Sequence, residues 1–294
     1  MEISTLKMFV KVAELKSFSK AATALNIAQS YVSTRIHQYE RKLGTELFIR
    51  HNKGVELSSQ GVIFLDYANR ILSMVDEAEN TLSQNSNAGL LRISTMQSTA
   101  QTYLPAILST FHRQFPEFRL RISTSNATEN IEKLFRYEAE FVYAAGQIES
   151  EDLALEKLTD ENLVLISNHK IKNLRDFLSA GNTSLLAFPF GCAYRKQTEK
   201  WLNAQNISLK NIIECDSIPA ILSSVTAGMG YAVLPRHLIN DHIKSEYVYA
   251  HELPDEFSTI PLNLCYRRDM KLNDGMKQFI KINKNIAGGN KPRS

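Results

Sequence analysis

The sequence predicts a chain of three parts: a small helical head that ends in a β-hairpin, one long connecting helix, and an α/β body of two Rossmann-like subdomains. Three observations support this prediction. Apolar residues recur at helical spacing over residues 4–43, an apolar repeat runs through residues 61–86, and strand-like and helix-like segments alternate from residue 90 onward. A chain of 294 residues is long enough to bury separate cores in two domains.

The composition is that of an ordinary globular protein. Apolar residues make up 44% of the chain and charged residues 22%, and no run of about 18 apolar residues predicts a membrane span. The first 16 residues carry charges throughout, unlike a secretory signal. The cysteines, Cys192, Cys215 and Cys265, are odd in number and far apart, which favours free thiols in a reducing cytoplasm over disulfides or a metal cluster. We therefore expect a cytoplasmic protein without a cofactor.

Positive charge is concentrated at the N-terminus. Residues 1–60 hold nine Lys and Arg against five acidic residues, a net charge of +4, whereas the whole chain carries +3. The other 234 residues therefore sum to about −1. A basic head on a nearly neutral body is typical of a protein that binds nucleic acid through the head alone, although a chance surface imbalance has the same appearance.

The head begins with two predicted helices. Helical spacing of apolar residues predicts the first over residues 4–15. Ser17 or Ser19 is a suitable N-cap for a second, shorter helix, because a serine hydroxyl accepts a hydrogen bond from the free N–H groups at a helix start. Asn26 fits the tight turn that follows, since asparagine tolerates the left-handed conformation.

A third helix is predicted over residues 28–43, with Gly44 ending it. Its residues divide by angle into two faces. The apolar face, expected to pack on the first two helices, consists of Val32, Ile36, Tyr39 and Leu43. The polar face, called here the recognition face, consists of Gln29, Ser30, Ser33, Thr34 and His37. Short polar side chains of this kind enter the major groove of DNA, and a glutamine can bond bidentately to adenine; the alternative is the solvated face of an ordinary helical bundle.

A hairpin is predicted directly after the third helix. Residues 47–49 and 55–57 form its strands, and residues 50–54 form a turn that ends in a glycine. Arg50 and Lys53 at the tip are placed to contact phosphates or the minor groove. The alternative is a plain surface hairpin.

The connecting helix is predicted over residues 61–86. Its apolar residues repeat at alternating three and four positions, as in a coiled coil about three heptads long: Val62, Leu65, Ala68 or Asn69, Leu72, Val75, Ala78 or Glu79, and Leu82. A long helix with one apolar stripe needs a partner. That partner is either a second copy of the chain or the chain's own body. Residues 85–89 then break the helix.

The body is predicted to contain two α/β units. Strands at 90–94, 119–123 and 141–144 alternate with helices at 98–114 and 129–137, which favours a parallel sheet. The second unit holds strands at 163–167, 185–188, 212–215 and 231–235 with helices between them, and the last strand and helix, 262–266 and 275–285, fit back onto the first unit. We place the domains at 1–58, 59–88 and 89–294, with one subdomain at 89–161 and 267–294 and the other at 162–266.

Two α/β units joined by crossing strands form a cleft, and open α/β sheets bind ligands at the carboxyl ends of their strands. The candidate ligand-binding residues lie between strand ends and helix starts: Gln97, Ser98, Thr99, Asn126, Thr128, Phe190, Gly191, Cys192 and Ser217. Their hydroxyls and the neighbouring helix N–H groups suit a small anion. The alternative is that the hydroxyls only cap helices.

Cys192 has two interpretations. It lies near a predicted helix start, three residues before Arg195, where a thiol with a lowered pKa senses oxidants. No second cysteine lies near it in sequence to complete such a reaction, so we favour an ordinary thiol in the cleft wall. Tyr194 and Arg195 are expected to order that wall.

An enzyme is not indicated. The chain lacks a phosphate-binding loop, a nucleophile elbow, metal-ligand spacing and a paired-carboxylate motif. The histidines of the body are scattered and expected at the surface: His112, His169, His237, His242 and His251.

One pattern runs through the head and consists of Phe9-Val10, Ser17-Phe18-Ser19, Ala21-Ala22, Leu25, Gln29, Val32-Ser33, Ile36, Glu40, Leu43-Gly44, Leu47-Phe48, Arg50 and Gly61. With this pattern the head resembles the winged helix-turn-helix of LysR-type transcriptional regulators. In the body, Tyr103-Leu104-Pro105, Phe111, Phe115-Pro116 and residues 227–235 resemble the effector-binding domain of the same family. The fold of that domain is similar to periplasmic binding proteins.

This resemblance implies a bacterial, sequence-specific DNA-binding regulator whose activity is set by a small effector in the cleft. It also implies a homodimer or homotetramer on a pseudo-palindromic operator, with RNA polymerase as a further partner. The family usually has Pro-Ala where Ser30-Tyr31 stand, Arg or Gln at Thr34 and Leu at Tyr39, so the operator sequence is expected to be particular to this protein. Residues 138–141 replace the family's usual Gly/Leu-Asp pattern, which predicts a difference in that part of the cleft.

Overall fold

The computed structural model describes residues 2–51, 54–82, 89–179, 183–208, 211–245 and 247–289. The chain divides into two compact units, one of residues 1–85 with Arg136–Glu138 and one of the remaining residues up to 294. Among the described helices, none is both long and apolar enough to cross a membrane.

The first unit consists of four helices and a hairpin. The helices are α1 (Ile3–Leu15), α2 (Phe18–Leu25), α3 (Gln29–Leu43) and α4 (Ser59–Leu82), and the antiparallel hairpin is formed by β1 (Phe48–His51) and β2 (Gly54–Leu57). Each element lies where the sequence predicted it, with ends that differ by a residue or two. Lys53 and the predicted last turn of the connecting helix, residues 83–86, lie outside the described residues.

The helix ends of the head follow from their residues. Ser17 Oγ accepts a hydrogen bond from the backbone N–H of Lys20 (3.3 Å), so Ser17 rather than Ser19 is the N-cap of α2. Asn26 ends α2 with φ 55°, and Gly44 ends α3 with φ 69°. Both φ values are left-handed, as predicted from the tolerance of these two residue types.

The core of the head is built from one face each of α1 and α3. Leu6, Phe9 and Val12 are fully buried, together with Val32 and Ile36. The ring of Phe9 contacts Phe48 of the hairpin and Phe64 of α4, with centroid distances of 5.1 and 4.8 Å. Hairpin and long helix are therefore held to the same small core.

The prediction for the last residue of the apolar face of α3 was wrong. Leu43 is 43% exposed, because the chain turns away at Gly44 and leaves no surface to cover it. Glu40 is buried instead, and its Oε1 accepts hydrogen bonds from the backbone N–H groups of Leu47 (2.9 Å) and Phe48 (3.2 Å). A carboxylate thus fixes the approach to the hairpin.

The start of α4 lies close to the hairpin. Ser58 Oγ accepts a hydrogen bond from the N–H of Gly61 (2.9 Å), which caps the helix two residues before the predicted start. A Cβ at Gly61 would lie 2.0 Å from the carbonyl oxygen of Leu47, so only glycine fits there.

The apolar stripe predicted for α4 does not form one exposed face. Val62 is 58% exposed, but Leu65, Ala68 and Leu72 pack on the core of the head, so these three are not available to a partner chain. Ile63, Tyr67 and Met74, at heptad-like spacing, are each more than half exposed instead. The sequence repeat therefore predicted the helix correctly but assigned its exposed face wrongly. The repeat does not show that apolar side chains of this helix also cover the core of the head.

The second unit is built on a mixed sheet. Its described strands follow the spatial order β4–β3–β5–β11–β6–β9–β7–β8, with β10 paired to β6. The strands are β3 (Gly89–Thr95), β4 (Phe118–Thr124), β5 (Phe141–Ala145), β6 (Leu153–Ser167), β7 (Ser184–Ala187), β8 (Ile212–Glu214), β9 (Gly230–Pro235), β10 (Tyr249–Glu252) and β11 (Thr259–Arg267). The helices are α5 (Gln97–Thr102), α6 (Leu104–Gln114), α7 (Ala127–Phe135), α8 (Leu174–Ser179), α9 (Ala193–Ala204), α10 (Ile218–Thr226), α11 (Asn240–Lys244) and α12 (Asp274–Gly289), with a 3₁₀ turn at Arg236–Leu238.

The strands of each subdomain are parallel, and two antiparallel strands connect the subdomains. β3 pairs in parallel with β4 and β5, and β7 pairs in parallel with β8 and β9. β6 and β11 pair antiparallel with each other, and each also reaches a strand of a different subdomain. The predicted subdomain boundaries, 161/162 and 266/267, fall inside these two strands. The return of the last strand to the first subdomain is confirmed by its pairing with β5.

Several details of the body differ from the prediction. The helix expected over residues 98–114 is two helices, because Pro105 lacks an N–H and cannot lie inside a helix. The first ten residues of β6, rich in charge, were not predicted as strand, nor were β10 and α11. Glu140 lies before β5, at the end of the strand opposite the cleft, where it forms an ion pair with Arg92. The difference predicted for the cleft at residues 138–141 is therefore misplaced.

Candidate nucleic-acid interface and ligand cavity

The recognition face of α3 is turned to solvent. Gln29, Ser30, Thr34 and His37 are exposed and Ser33 is partly buried, as a helix that enters a groove requires. Tyr31, which the sequence placed beside this face, is 49% exposed. The structure thus brings five predicted contact residues together on one helix face.

Arg50 connects the hairpin to this face. Its guanidinium carbon lies 4.3 Å from the ring centroid of Phe18, and its Nη2 donates to Ser33 Oγ at 3.4 Å. A cation stacked on an aromatic ring keeps its charge while losing part of its freedom. The side chain is therefore held at the edge of the recognition face, where a phosphate would lie.

His37 is held by the buried carboxylate of Glu40. The distance from His37 Nδ1 to Glu40 Oε2 is 3.1 Å, while the imidazole remains about half exposed. The contact with Glu40 therefore restrains the imidazole while part of the ring stays accessible to solvent. Sequence periodicity placed His37 on the recognition face but did not predict its contact with Glu40, a carboxylate one turn further along the helix.

A cavity of about 390 Å³ lies between the two subdomains of the body. It opens where the carboxyl ends of β3 and β4 meet the start of α9 and the loop before α10. Its lining consists of Met96, Gln97, Ser98, Thr124, Ser125, Asn126, Ala127, Glu129, Phe188, Pro189, Cys192, Ala193, Tyr194 and Asp216. This is the position where open α/β sheets bind ligands. We call it the cleft cavity.

Four predicted ligand-binding residues line the cleft cavity: Gln97, Ser98, Asn126 and Cys192. Two of them also cap helices. Gln97 Oε1 accepts from the N–H of Ile218 at the start of α10, and Asn126 Oδ1 accepts from the N–H of Glu129 in α7, both at 2.9 Å. These two amides therefore cap helices as well as line the cavity, a role that the sequence analysis considered only for the hydroxyls.

The other five predicted residues do not line the cleft cavity. Thr99 is fully buried, and its Oγ1 has no partner within the described residues. Phe190 is 83% exposed. Ser217 only precedes α10, and its side chain does not cap that helix. Thr128 and Gly191 meet each other across the cleft, where Thr128 Oγ1 donates to the Gly191 carbonyl oxygen at 3.4 Å. Sequence position cannot separate a lining residue from its neighbour one step round a helix or loop.

A buried hydrogen-bond chain forms one wall of the cavity. Tyr194 OH donates to Glu161 Oε2 at 2.6 Å, and Ser98 Oγ lies 2.8 Å from the same phenol oxygen. All three side chains are almost fully buried. The chain joins α5 of one subdomain, α9 of the other, and the crossing strand β6.

Burial changes the acidity of the groups at this wall. Desolvation raises the pKa of Glu161 to about 7, against a smaller lowering by the Tyr194 hydrogen bond. His237, expected at the surface, is mostly buried instead, with Nε2 3.7 Å from Glu161 Oε1, and desolvation lowers its pKa to about 4. The sequence analysis did not identify Glu161 and placed His237 at the surface, because nothing in the local sequence distinguishes a buried ionisable side chain from an exposed one.

Cys192 has the properties of an ordinary wall thiol. Desolvation raises its pKa, against smaller lowering effects from the backbone and Arg195. A redox sensor needs the opposite shift, because the thiolate is the reactive form. Arg195 is itself paired with Glu199 (2.8 Å) and Glu214 (2.9 Å). The alternative of an oxidant-sensing thiol is therefore not supported.

The lining does not favour an anion. Within the described ranges it contains two carboxylates, Glu129 and Asp216, and no Lys or Arg. One cation, Lys133, lies behind the lining, and its ammonium donates to the hydroxyl oxygens of three serines, among them Ser125 at 2.6 Å. Of the helix starts expected to receive an anion, those of α10 and α7 are capped by Gln97 and Asn126, whereas those of α5 and α9 have no side-chain cap.

Comparison with known proteins agrees with this architecture. The profile of the bacterial regulatory helix-turn-helix proteins of the lysR family matches residues 3–62, and that of the LysR substrate binding domain matches residues 84–285. The chain belongs to the LysR family. It is a LysR-type transcriptional regulator, and its relatives are regulators rather than enzymes.

Curated relatives match over nearly the full length. The HTH-type transcriptional regulator SoxR of an Arthrobacter species is 34% identical over 286 residues, covering 97% of both chains. GltR of Bacillus subtilis is 31% identical over 281 residues, covering 95% of both chains.

Solved structures share the fold of this regulator. Full-length OxyR of Pseudomonas aeruginosa aligns with a TM-score of 0.73 at 19% identity, covering 98% of this chain and 94% of that one. Full-length CbnR in complex with its target DNA aligns with a TM-score of 0.65 at 18% identity, covering 97% and 99%.

Proposed function

We propose that this LysR-type regulator places α3 in the major groove of its operator through the recognition face. Gln29 contacts base edges, with Ser33 and Thr34 beside it, and His37 contacts a base or a phosphate. The departures from the family at Ser30, Tyr31 and Thr34 make the preferred sequence particular to this protein. The carrying observation is that five predicted contact residues lie on one solvent-facing helix face with Arg50 fixed at its edge.

Arg50 and the hairpin supply sequence-independent contacts. The stacked guanidinium meets a backbone phosphate, and Lys53, which lies between the two strands in the sequence, adds a second positive charge. The net charge of +4 in residues 1–60 supports this division, because phosphate neutralisation needs positive charge only where the protein touches DNA.

The regulator acts as a homodimer, or a pair of dimers, on a pseudo-palindromic operator in the bacterial cytoplasm. The apolar stripe of Ile63, Tyr67 and Met74 on α4 supports the pairing of two long helices, since isolated exposed stripes of this size on a helix need cover. RNA polymerase is the expected further partner at the promoter.

The cleft cavity holds a small effector that sets the regulator's activity. Three hydrogen bonds cross from one subdomain to the other around it, through Gln97, Ser98 and Thr128. An effector that competes for or reinforces these bonds changes the relative stability of open and closed bodies, and so the arrangement of the dimer on DNA.

The test uses the full-length protein and DNA from the region upstream of its own gene. We expect binding with a strong salt dependence, in which the logarithm of the binding constant falls linearly with the logarithm of salt concentration. A double variant, Ile63→Glu with Met74→Glu, should convert the dimer to monomer in sedimentation and weaken operator binding. The control, Glu79→Gln at an exposed position of the same helix, should change neither. Absence of salt-dependent DNA binding by the wild type would contradict the proposal.

A further inference from the structure

The hydrogen-bond chain at the cavity wall has a fixed direction. A phenol carries one proton, and the hydrogen bond from Tyr194 OH to the Glu161 carboxylate uses it. The contact of 2.8 Å between Tyr194 and Ser98 therefore takes its proton from the serine. Since Ser98 has no second proton, its remaining lone pairs make it an acceptor towards the cavity. The hydrogen bond from Tyr194 OH to Glu161 Oε2 is what sets this polarity.

The charged groups of the lining also favour a ligand that donates hydrogen bonds. Glu129 belongs to α7 of one subdomain, and Asp216 precedes α10 of the other, so carboxylates face the cleft cavity from both sides. The carbonyl oxygens of Gln97 and Asn126 occupy N–H groups at the starts of α10 and α7. Lys133 directs its N–H bonds to the hydroxyl oxygens of Ser94, Ser123 and the lining residue Ser125. Among the described residues that line the cavity, the charged groups offered to a ligand are thus all negative.

We infer that the effector is a small organic cation, with an ammonium or guanidinium group that donates hydrogen bonds at Ser98 and is neutralised by Glu129 and Asp216. This inference rests on the proposed function, because it assigns a chemical class to the effector of the cleft cavity. It replaces the small anion predicted from the sequence. A cation between carboxylates of opposite subdomains also favours their approach, which links its charge to closure of the body.

Compounds of different charge on a five-carbon skeleton test the inference. The probes are 1,5-diaminopentane as the cation, glutarate as the anion and 1,5-pentanediol as the neutral compound, with agmatine added as a second cation that carries a guanidinium group. Thermal denaturation of the full-length protein should show a saturable rise in Tm with the cations and none with glutarate or the diol. The double variant Glu129→Gln with Asp216→Asn should lower cation affinity by about tenfold. The control variant Glu117→Gln with Asp255→Asn, two exposed carboxylates outside the cavity, should leave it unchanged.

A second variant tests the role of the buried chain. In Glu161→Gln the amide can donate to Tyr194, so Ser98 is free to donate towards the cavity, and cation affinity should fall while the diol begins to bind. A saturable Tm rise with glutarate alone, or none with either cation, overturns the inference. Salt-dependent operator binding by the same preparation shows in either case that the proposed function still stands.

Discussion

The recognition face of α3 and the buried wall of the cleft cavity are both polar, yet they are organised in opposite ways. On α3 the side chains are exposed and lie within nine residues of one another. At the cavity, Ser98, Tyr194 and Glu161 are buried, bonded to one another, and separated in sequence by 33 to 96 residues. The first surface is prepared for a large charged partner in water, and the second is preorganised for a small ligand with little water. The local sequence determines which residues share the exposed helix face, whereas only the fold brings together the residues of the buried wall.

The largest loss of stability is expected at Glu40 of the head, because its carboxylate is buried like the polar groups of the cavity wall. Glu40→Ala removes the acceptor of two buried N–H groups, those of Leu47 and Phe48, and should destabilise the head by about 3 kcal/mol. Trp201, the one tryptophan of the chain, lies in the body. Urea denaturation followed by far-UV circular dichroism should therefore shift to lower urea while the Trp201 fluorescence transition stays in place.

The matched control for Glu40 is Glu46→Ala, at an exposed position in the turn that follows α3. It should leave both transitions unchanged. If circular dichroism and Trp201 fluorescence shift together in Glu40→Ala, the two units unfold as one, and the effect cannot be assigned to the head.

A change of similar size in the free energy of unfolding, this time dependent on pH, is expected from the buried titratable pair of the body, Glu161 and His237. The folded state keeps a proton on Glu161 between about pH 4.5, its ordinary pKa, and about 7, so this group's contribution to the free energy of unfolding falls as pH rises through that window. Folded His237 lacks a proton that the unfolded chain binds between about pH 4 and 6.5, so its contribution rises with pH. The two contributions oppose each other. Tyr194, hydrogen-bonded to Glu161, and Tyr103, whose ring packs against His237, stay neutral throughout because burial raises both pKa values.

Two variants separate these contributions. Glu161→Gln removes a contribution that falls as pH rises. Relative to wild type, its free energy of unfolding should therefore rise by up to about 3 kcal/mol across this pH window. For His237→Asn the free energy of unfolding should fall, relative to wild type, by a similar amount. Urea denaturation followed by Trp201 fluorescence between pH 4.5 and 7 measures both. Parallel pH profiles for wild type and both variants would mean that neither group is perturbed by burial.

The contrast between the two regions also explains which positions in the fold were predicted. The exposed side of α3 was predicted because helical periodicity alone determines which side faces outward, and Leu43 was the exception because the turn at Gly44 removed its cover. At the cavity, four residues of the lining were predicted from their position after a strand. Tyr194 was expected in the wall, but its bonds to Ser98 and Glu161 were not, because they join three elements that the sequence keeps apart. The stripe on α4 shows the same limit, since the head's core and not the repeat decides which face is exposed.

A smaller effect is expected at the base-reading end of α3. Gln29→Ala should cost about 1–3 kcal/mol at one base pair of the operator and little elsewhere, because a lost bidentate contact removes discrimination rather than general affinity. Competition binding with operators substituted one position at a time measures this. An unchanged order of preference would contradict the assignment of Gln29 as a base contact.

The smallest effect is expected at Arg50, and it should differ in kind. Arg50→Ala should weaken binding to all sequences alike and reduce the salt slope by about one per head, as expected for a lost phosphate contact. Arg50→Lys retains the charge but not the planar group that stacks on Phe18 and reaches Ser33, so it should restore the salt slope while leaving affinity below wild type. If lysine restores affinity completely, the stacking adds nothing to binding. If Arg50→Ala changes the order of sequence preference, Arg50 positions the recognition face through Ser33, and the separation between positioning and base contacts in the head does not hold.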